Sequence, residues 1–141
     1  MDQGSLVTPL LEEGAELVKD LRSRNVDVEA AYWLYDSDTG EWSLHVIVPD
    51  LESRGIHKSY MELGEAMRQR RDARREGEGS LLTMIDLPSV RLEDHGDKIA
   101  RAVSTFLKNR GGNLASVVRR SFIEGERVDD MYIYRTDMRL K

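Results

Sequence analysis

Three histidines are the first candidates for chemistry, because imidazole can exchange a proton near neutral pH. His45 lies in a stretch of alternating apolar residues, and we expect a partly exposed strand histidine without a catalytic role. His57 lies in the first turn of a predicted helix, four residues after Ser53, where it could act as a general base. No pattern of serine, aspartate and glycine near His57 resembles a nucleophile elbow.

A metal-binding alternative depends on His95 and Asp50. His95 is surrounded by Glu93, Asp94 and Asp97, and carboxylates with an imidazole can hold a divalent metal. The same string is typical of a solvated loop followed by a helix cap, and we favour that interpretation. Asp50 follows a proline at the end of a strand, but the next predicted strand has no lysine to complete a nuclease motif. We therefore expect no bound metal and no cofactor.

The clearest surface feature is a basic stretch near the end of the second predicted helix. Its arginines are Arg68, Arg70, Arg71, Arg74 and Arg75. Arginines at this density could bind phosphate groups or an acidic partner. The alternative is a solvated helix end, where cations complement the helix dipole and pair with neighbouring acids. The net charge of -5 favours this second interpretation over a dedicated nucleic-acid binder.

The composition excludes several classes of protein. The chain has 141 residues, of which 40% are hydrophobic and 33% are charged, and this suits one domain with a real core. Because there is no cysteine, thiol catalysis, disulfides and cysteine-based zinc sites are excluded. The chain has no glycine-rich phosphate loop, and its apolar runs are too short to span a membrane. Since no basic region opens the chain, we expect a cytoplasmic protein with no membrane partner.

The apolar spacing predicts the elements that position these residues. A helix is predicted over 8–24, followed by strands over 26–35 and 42–48 that a polar turn joins into a hairpin. Trp33 and Trp42 lie on the two strands of this hairpin, and we expect at least one of them to be a core anchor. A loop over 50–55 then leads to the second helix, which begins at Ile56 and is broken after Arg75.

The second half of the chain continues the alternation of helices and strands. It predicts a strand over 81–87, a polar loop over 92–97, a helix over 99–110, and a last hairpin of 117–123 with 131–135 across a turn at 124–127. The order α-β-β-α-β-α-β-β indicates a single α+β (α/β-like) domain over 1–141, with a mixed five-stranded sheet under helical cover. Right-handed crossovers predict that the second, third and fourth strands are mutually parallel.

Several aromatic and turn residues resemble those of a group of small uncharacterised bacterial cytosolic proteins. They are the run Ala30 to Tyr35, the strand Trp42 to Leu44, Pro49, Gly55, Tyr60 and the late run Tyr132 to Arg135. The resemblance covers most of the chain. It implies a bacterial, cytosolic origin and brings no activity, cofactor or catalytic residue with it.

These observations favour a non-enzymatic interaction or accessory module of a bacterial cytosolic system. The first half of the chain is acidic and the second half is basic, and the predicted hairpins leave edge strands, so we expect it to associate with itself or with another protein. Nucleic acid is a less favoured partner. The alternative is a metal-dependent hydrolase or nuclease acting on nucleic acid or phosphate esters, with acids near Asp50 or His95 holding the metal.

Overall fold

The computed structural model describes residues 8–77, 89–110, 116–118, 121–123, 126–128 and 130–134. The helices are α1 (Thr8–Ser23), α2 (Leu51–Arg54), α3 (Ile56–Gly77) and α4 (Lys98–Arg110). The strands are β1 (Ala30–Asp36), β2 (Glu41–Ile47), β3 (Val90–Glu93), β4 (Ser116–Val118), β5 (Ser121–Ile123), β6 (Glu126–Val128) and β7 (Met131–Ile133).

The main sheet is mixed and has the strand order β3-β2-β1-β7-β4. β3 is parallel to β2, whereas β1 is antiparallel to both β2 and β7, and β4 is antiparallel to β7. β5 and β6 pair with each other in a separate small sheet. Helices packed on a mixed sheet confirm the predicted α+β class.

Both faces of the sheet are apolar, because strand residues alternate between two helical layers. Buried side chains of the first layer join α1, α2 and α3 to the sheet, and they include Leu17, Val18, Leu21, Leu51, Leu63, Ala66, Ala31, Trp33, Leu44, Val46, Val90 and Leu92. Those of the second layer join α4 to the sheet, and they include Ala100, Val103, Leu107, Ala30, Tyr32, Ile47, Met131 and Ile133. The predicted helical cover of the first hairpin is therefore confirmed.

The first hairpin forms as its alternation predicts. β1 and β2 pair from Ala30 opposite Ile47 to Asp36 opposite Glu41. In the turn, the Asp38 amide donates to the Asp36 carboxylate at 2.9 Å, which is the backbone role expected of an aspartate at such a position. Gly40 completes the turn with a φ of 74°, a conformation that favours glycine.

The strand that follows α3 differs from the prediction. The strand predicted over 81–87 lies outside the described residues, and the structure places β3 at Val90–Glu93. The predicted polar loop over 92–97 is therefore wrong at its first two residues. Val90 and Leu92 alternate with polar residues and are buried in the first apolar layer. Two apolar side chains are therefore enough to anchor this short strand. A second difference is the short helix α2, which lies inside the loop predicted over 50–55 and buries Leu51.

The end of the chain is also more divided than predicted. The single strand predicted over 117–123 is split into β4 and β5, and the turn predicted over 124–127 contains the start of β6. β4 pairs antiparallel with β7, so it runs opposite to β2, and the prediction that these two strands are parallel is wrong. The alternation of apolar residues could not reveal the direction of β4. The β5–β6 hairpin that follows β4 has the same alternation as a strand of the main sheet.

Candidate functional site

A chain of polar side chains crosses three strands on the sheet face that α4 packs against. His45 is its centre: Nε2 lies 2.9 Å from the Ser43 hydroxyl, and Nδ1 lies 2.6 Å from Glu93 Oε2. Glu93 Oε1 in turn accepts a hydrogen bond of 2.8 Å from the Tyr32 hydroxyl. His45 is 7% exposed, so the prediction that this strand histidine is partly exposed is wrong.

The strand pairing brings these residues together. Ser43 and His45 are two residues apart on β2, so their side chains lie on one face of the sheet. The β1–β2 register places Tyr32 opposite His45, and their rings stack with centroids 4.9 Å apart and planes 8° apart. The β2–β3 register places Glu93 beside Ile47, diagonal to His45.

The hydrogen-bond partners define which tautomer of His45 suits the array. An ionised carboxylate only accepts, so His45 Nδ1 is the donor to Glu93. In the neutral imidazole of this tautomer, Nε2 is the acceptor for the Ser43 hydroxyl. Burial raises the pKa of the Tyr32 hydroxyl above its ordinary value, and the charge of Glu93 raises it further. Tyr32 therefore stays protonated and holds the Glu93 carboxylate in place.

The sequence contained part of this signal. Ser43 and His45 are two residues apart on a predicted strand, so they share one face of it. This spacing is enough to place a hydroxyl beside an imidazole. Glu93 could not be found in the same way, because its segment read as a polar loop and the contact joins residues 48 positions apart. A nucleophile, a base and an orienting carboxylate are the groups that covalent hydrolysis requires.

His95 belongs to a different and more exposed cluster. Its Nε2 lies 2.7 Å from Glu29 Oε1, and the other oxygen of Glu29 accepts a hydrogen bond from the Ser104 hydroxyl. Here the serine bonds to the carboxylate and not to the imidazole, so this cluster lacks the serine–histidine hydrogen bond of the His45 array. Asp94 accepts the Gly96 amide, and Asp97 accepts the Ala100 amide at the start of α4. The helix cap predicted here is confirmed at Asp97, and the predicted loop is confirmed from Asp94 onward, since Glu93 belongs to β3.

The remaining histidine and acid candidates are not joined into a metal site. His57 and Asp50 are both exposed, at the starts of α3 and α2. Across the described ranges, no three histidine or acidic side chains converge in a way that could hold a metal ion. The described residues therefore offer no set of metal ligands for the alternative of a metal-dependent hydrolase or nuclease.

Two of the predicted arginines are held by acids of the same chain. Arg70 reaches α1, where its Nε lies 3.2 Å from Glu13 and its Nη1 lies 3.3 Å from Asp20. Arg68 pairs with Glu65 one turn earlier in α3. The side chains of Arg71, Arg74 and Arg75 lie outside the described residues, so a phosphate-binding or partner-binding patch stays a prediction.

No protein-family model, curated protein or solved structure matches this chain. The resemblance to small bacterial proteins, with the origin it implies, stays a prediction. None of the helices in the described ranges combines the length and apolarity needed to cross a bilayer.

Proposed function

We propose that the chain is a metal-independent hydrolase of esters, with Ser43 as nucleophile and His45 as general base. The observation that carries the proposal is the pair of hydrogen bonds on the His45 ring, one to Ser43 and one to Glu93. A nucleophile bonded to a base that a third group orients is the arrangement of serine hydrolases, on whatever fold they occur.

The proposed reaction has two steps. The Ser43 oxygen bonds to the carbonyl carbon of the ester while its proton passes to His45 Nε2, and the alcohol leaves with that proton. Water then attacks the acyl carbon, His45 accepts a proton from the water, and the Ser43 oxygen leaves and regains the proton. The sum is one ester and one water giving one acid and one alcohol, with no other reactant.

Glu93 and Tyr32 are positioning residues in this scheme. Glu93 fixes the His45 tautomer that leaves Nε2 free to accept, and it stabilises the imidazolium that forms in each step. The side chains of His45 and Glu93 are only 9% and 12% exposed, and a low-dielectric surrounding strengthens this interaction. Ser43 is the more accessible end of the array, so it is the group that an ester would meet.

We expect a fluorophosphonate probe to label the folded protein once, at Ser43, because the probe reports a hydroxyl that a base activates. Intact-mass and peptide mass spectrometry measure the label. Ser43→Ala should abolish it, and Glu93→Gln should slow it by about a hundredfold or more, because the imidazole then loses its orienting charge. Hydrolysis of a para-nitrophenyl ester should follow the same order.

Ser53→Ala is the matched control, because Ser53 is exposed and its hydroxyl donates to the backbone oxygen of Asp50, with no histidine partner among the described residues. It should keep the label and the rate. Circular dichroism must show that each variant is folded. An unlabelled wild-type protein, or a label that survives Ser43→Ala, would contradict the proposal.

The second candidate is the non-enzymatic, self-associating module that the composition favours. It is supported by two large apolar side chains at the start of α3, Ile56 and Met61, which are 55% and 62% exposed. The edge strand β3 is less suited to pairing, because the Leu92 amide already donates to the Tyr60 hydroxyl at 2.9 Å.

Light scattering over a wide range of concentrations tests the association. We expect a mass above 16.1 kDa that Ile56→Ser with Met61→Ser returns to the monomer value. A wild-type protein that stays at the monomer mass throughout would contradict this second candidate and leave the ester hydrolase unaffected.

A further inference from the structure

We infer that Arg91 makes the Ser43 site selective for esters that carry an anionic group; this inference rests on the proposed hydrolase. Arg91 lies on β3 directly beside His45 in the parallel β2–β3 register. Its strand neighbours Val90 and Leu92 are buried in the opposite apolar layer, so Arg91 projects from the same face as His45.

The guanidinium of Arg91 is available to a ligand. The residue is exposed, and among the described residues it makes no hydrogen bond or ion pair. The nearest acid on its own strand is Glu93, and both oxygens of that carboxylate are engaged, one by His45 and one by Tyr32. No ion pair or hydrogen bond joins Arg91 to this carboxylate, so the guanidinium donors stay open to a ligand.

The distances suit one substrate held at both groups. Neighbouring strands are about 4.8 Å apart, and Ser43 lies two residues, about 7 Å, before His45 along β2. A long arginine side chain spans such a separation, and its planar fork of donors pairs with carboxylate or phosphate oxygens. An ester whose reacting carbonyl meets Ser43 can thus place an anionic group on Arg91.

The test compares two para-nitrophenyl esters with the same six-carbon acyl chain, one ending in a methyl group and one in a carboxylate. The rate measured with Ser43→Ala is subtracted from each rate, because it gives the hydrolysis that does not depend on Ser43. We expect the wild-type kcat/KM to favour the carboxylate ester by about tenfold to a hundredfold, the range of a charge-assisted hydrogen bond. High salt should reduce this preference, because the charge is exposed.

Arg91→Gln should abolish the preference by lowering kcat/KM for the carboxylate ester, and Arg91→Lys should restore part of it. Arg54→Gln is the control for a distant arginine, since Arg54 donates to the backbone oxygen of Asn25. Ser43-dependent hydrolysis of both esters at equal rates would overturn the role of Arg91 and leave the hydrolase standing. Hydrolysis of neither ester would overturn both.

Discussion

Trp33→Ala is expected to lower the free energy of unfolding by about 3–5 kcal/mol, the range for removing a buried large aromatic side chain. Trp33 is 1% exposed and is among the largest fully buried side chains of the described core. Its indole Nε1 donates to the Tyr134 hydroxyl at 2.8 Å, and that hydroxyl donates to the Leu11 backbone oxygen at 2.5 Å. The substitution therefore leaves a cavity and also removes a hydrogen bond that joins β1 to the residue after β7.

Trp42→Ala is the matched comparison, measured in the same urea titration followed by circular dichroism. Trp42 is only partly buried, and its Nε1 finds no hydrogen-bond partner among the described residues. We expect a loss of about 1–2 kcal/mol, because Trp42 buries less apolar surface than Trp33 does. The substitution also removes a hydrogen-bond donor that has no partner in the folded state. A larger loss at Trp42 than at Trp33 would show that the core anchor has been misassigned.

Arg70→Gln should lower the free energy of unfolding by about 2–4 kcal/mol, because it removes the charge that compensates a buried carboxylate. Glu13 is 4% exposed, and Arg70 joins it and Asp20 to α3. Burial by itself lowers the pKa of Arg70, but its hydrogen bonds and charge interactions with the two acids raise it above its ordinary value. The ion pair therefore holds α1 against α3.

Arg68→Gln is the control, because it makes the same substitution on the same helix at an exposed position. Arg68 lies 2.5 Å from Glu65, and the two side chains are 58% and 42% exposed. An exposed pair of this kind contributes about 0–1 kcal/mol. Thermal or urea unfolding of both variants gives the comparison, and equal losses would contradict a special role for Arg70 between the two helices.

The sequence by itself determined the elements that have strong local signals. The period of α1 placed Leu17, Val18 and Leu21 on one face, and all three are buried. The alternation of β1 and β2, with a polar turn between them, was enough to predict their pairing, because a short turn leaves an antiparallel hairpin as the simplest arrangement. Apolar residues on both faces of these strands also predicted the two helical layers.

Only the tertiary structure decided the positions of β3 and β4, since neither has a distinctive local signal. β3 has just four residues, and its burial comes from packing beside β2 and not from its own pattern. The direction of β4 depends on β7, with which it pairs, and the chain between them forms a hairpin of its own. Long-range pairing, and not periodicity, therefore set the order of the sheet.

The candidate site shows the same division. Ser43 and His45 are neighbours by strand geometry alone, and the sequence placed them on one face. Glu93 and Tyr32 contact His45, and Arg91 lies beside it, only because β1 and β3 pair with β2 in one particular register. A shift of one residue in either register would turn these side chains to the opposite face, so the packing that fixes the register also assembles the site.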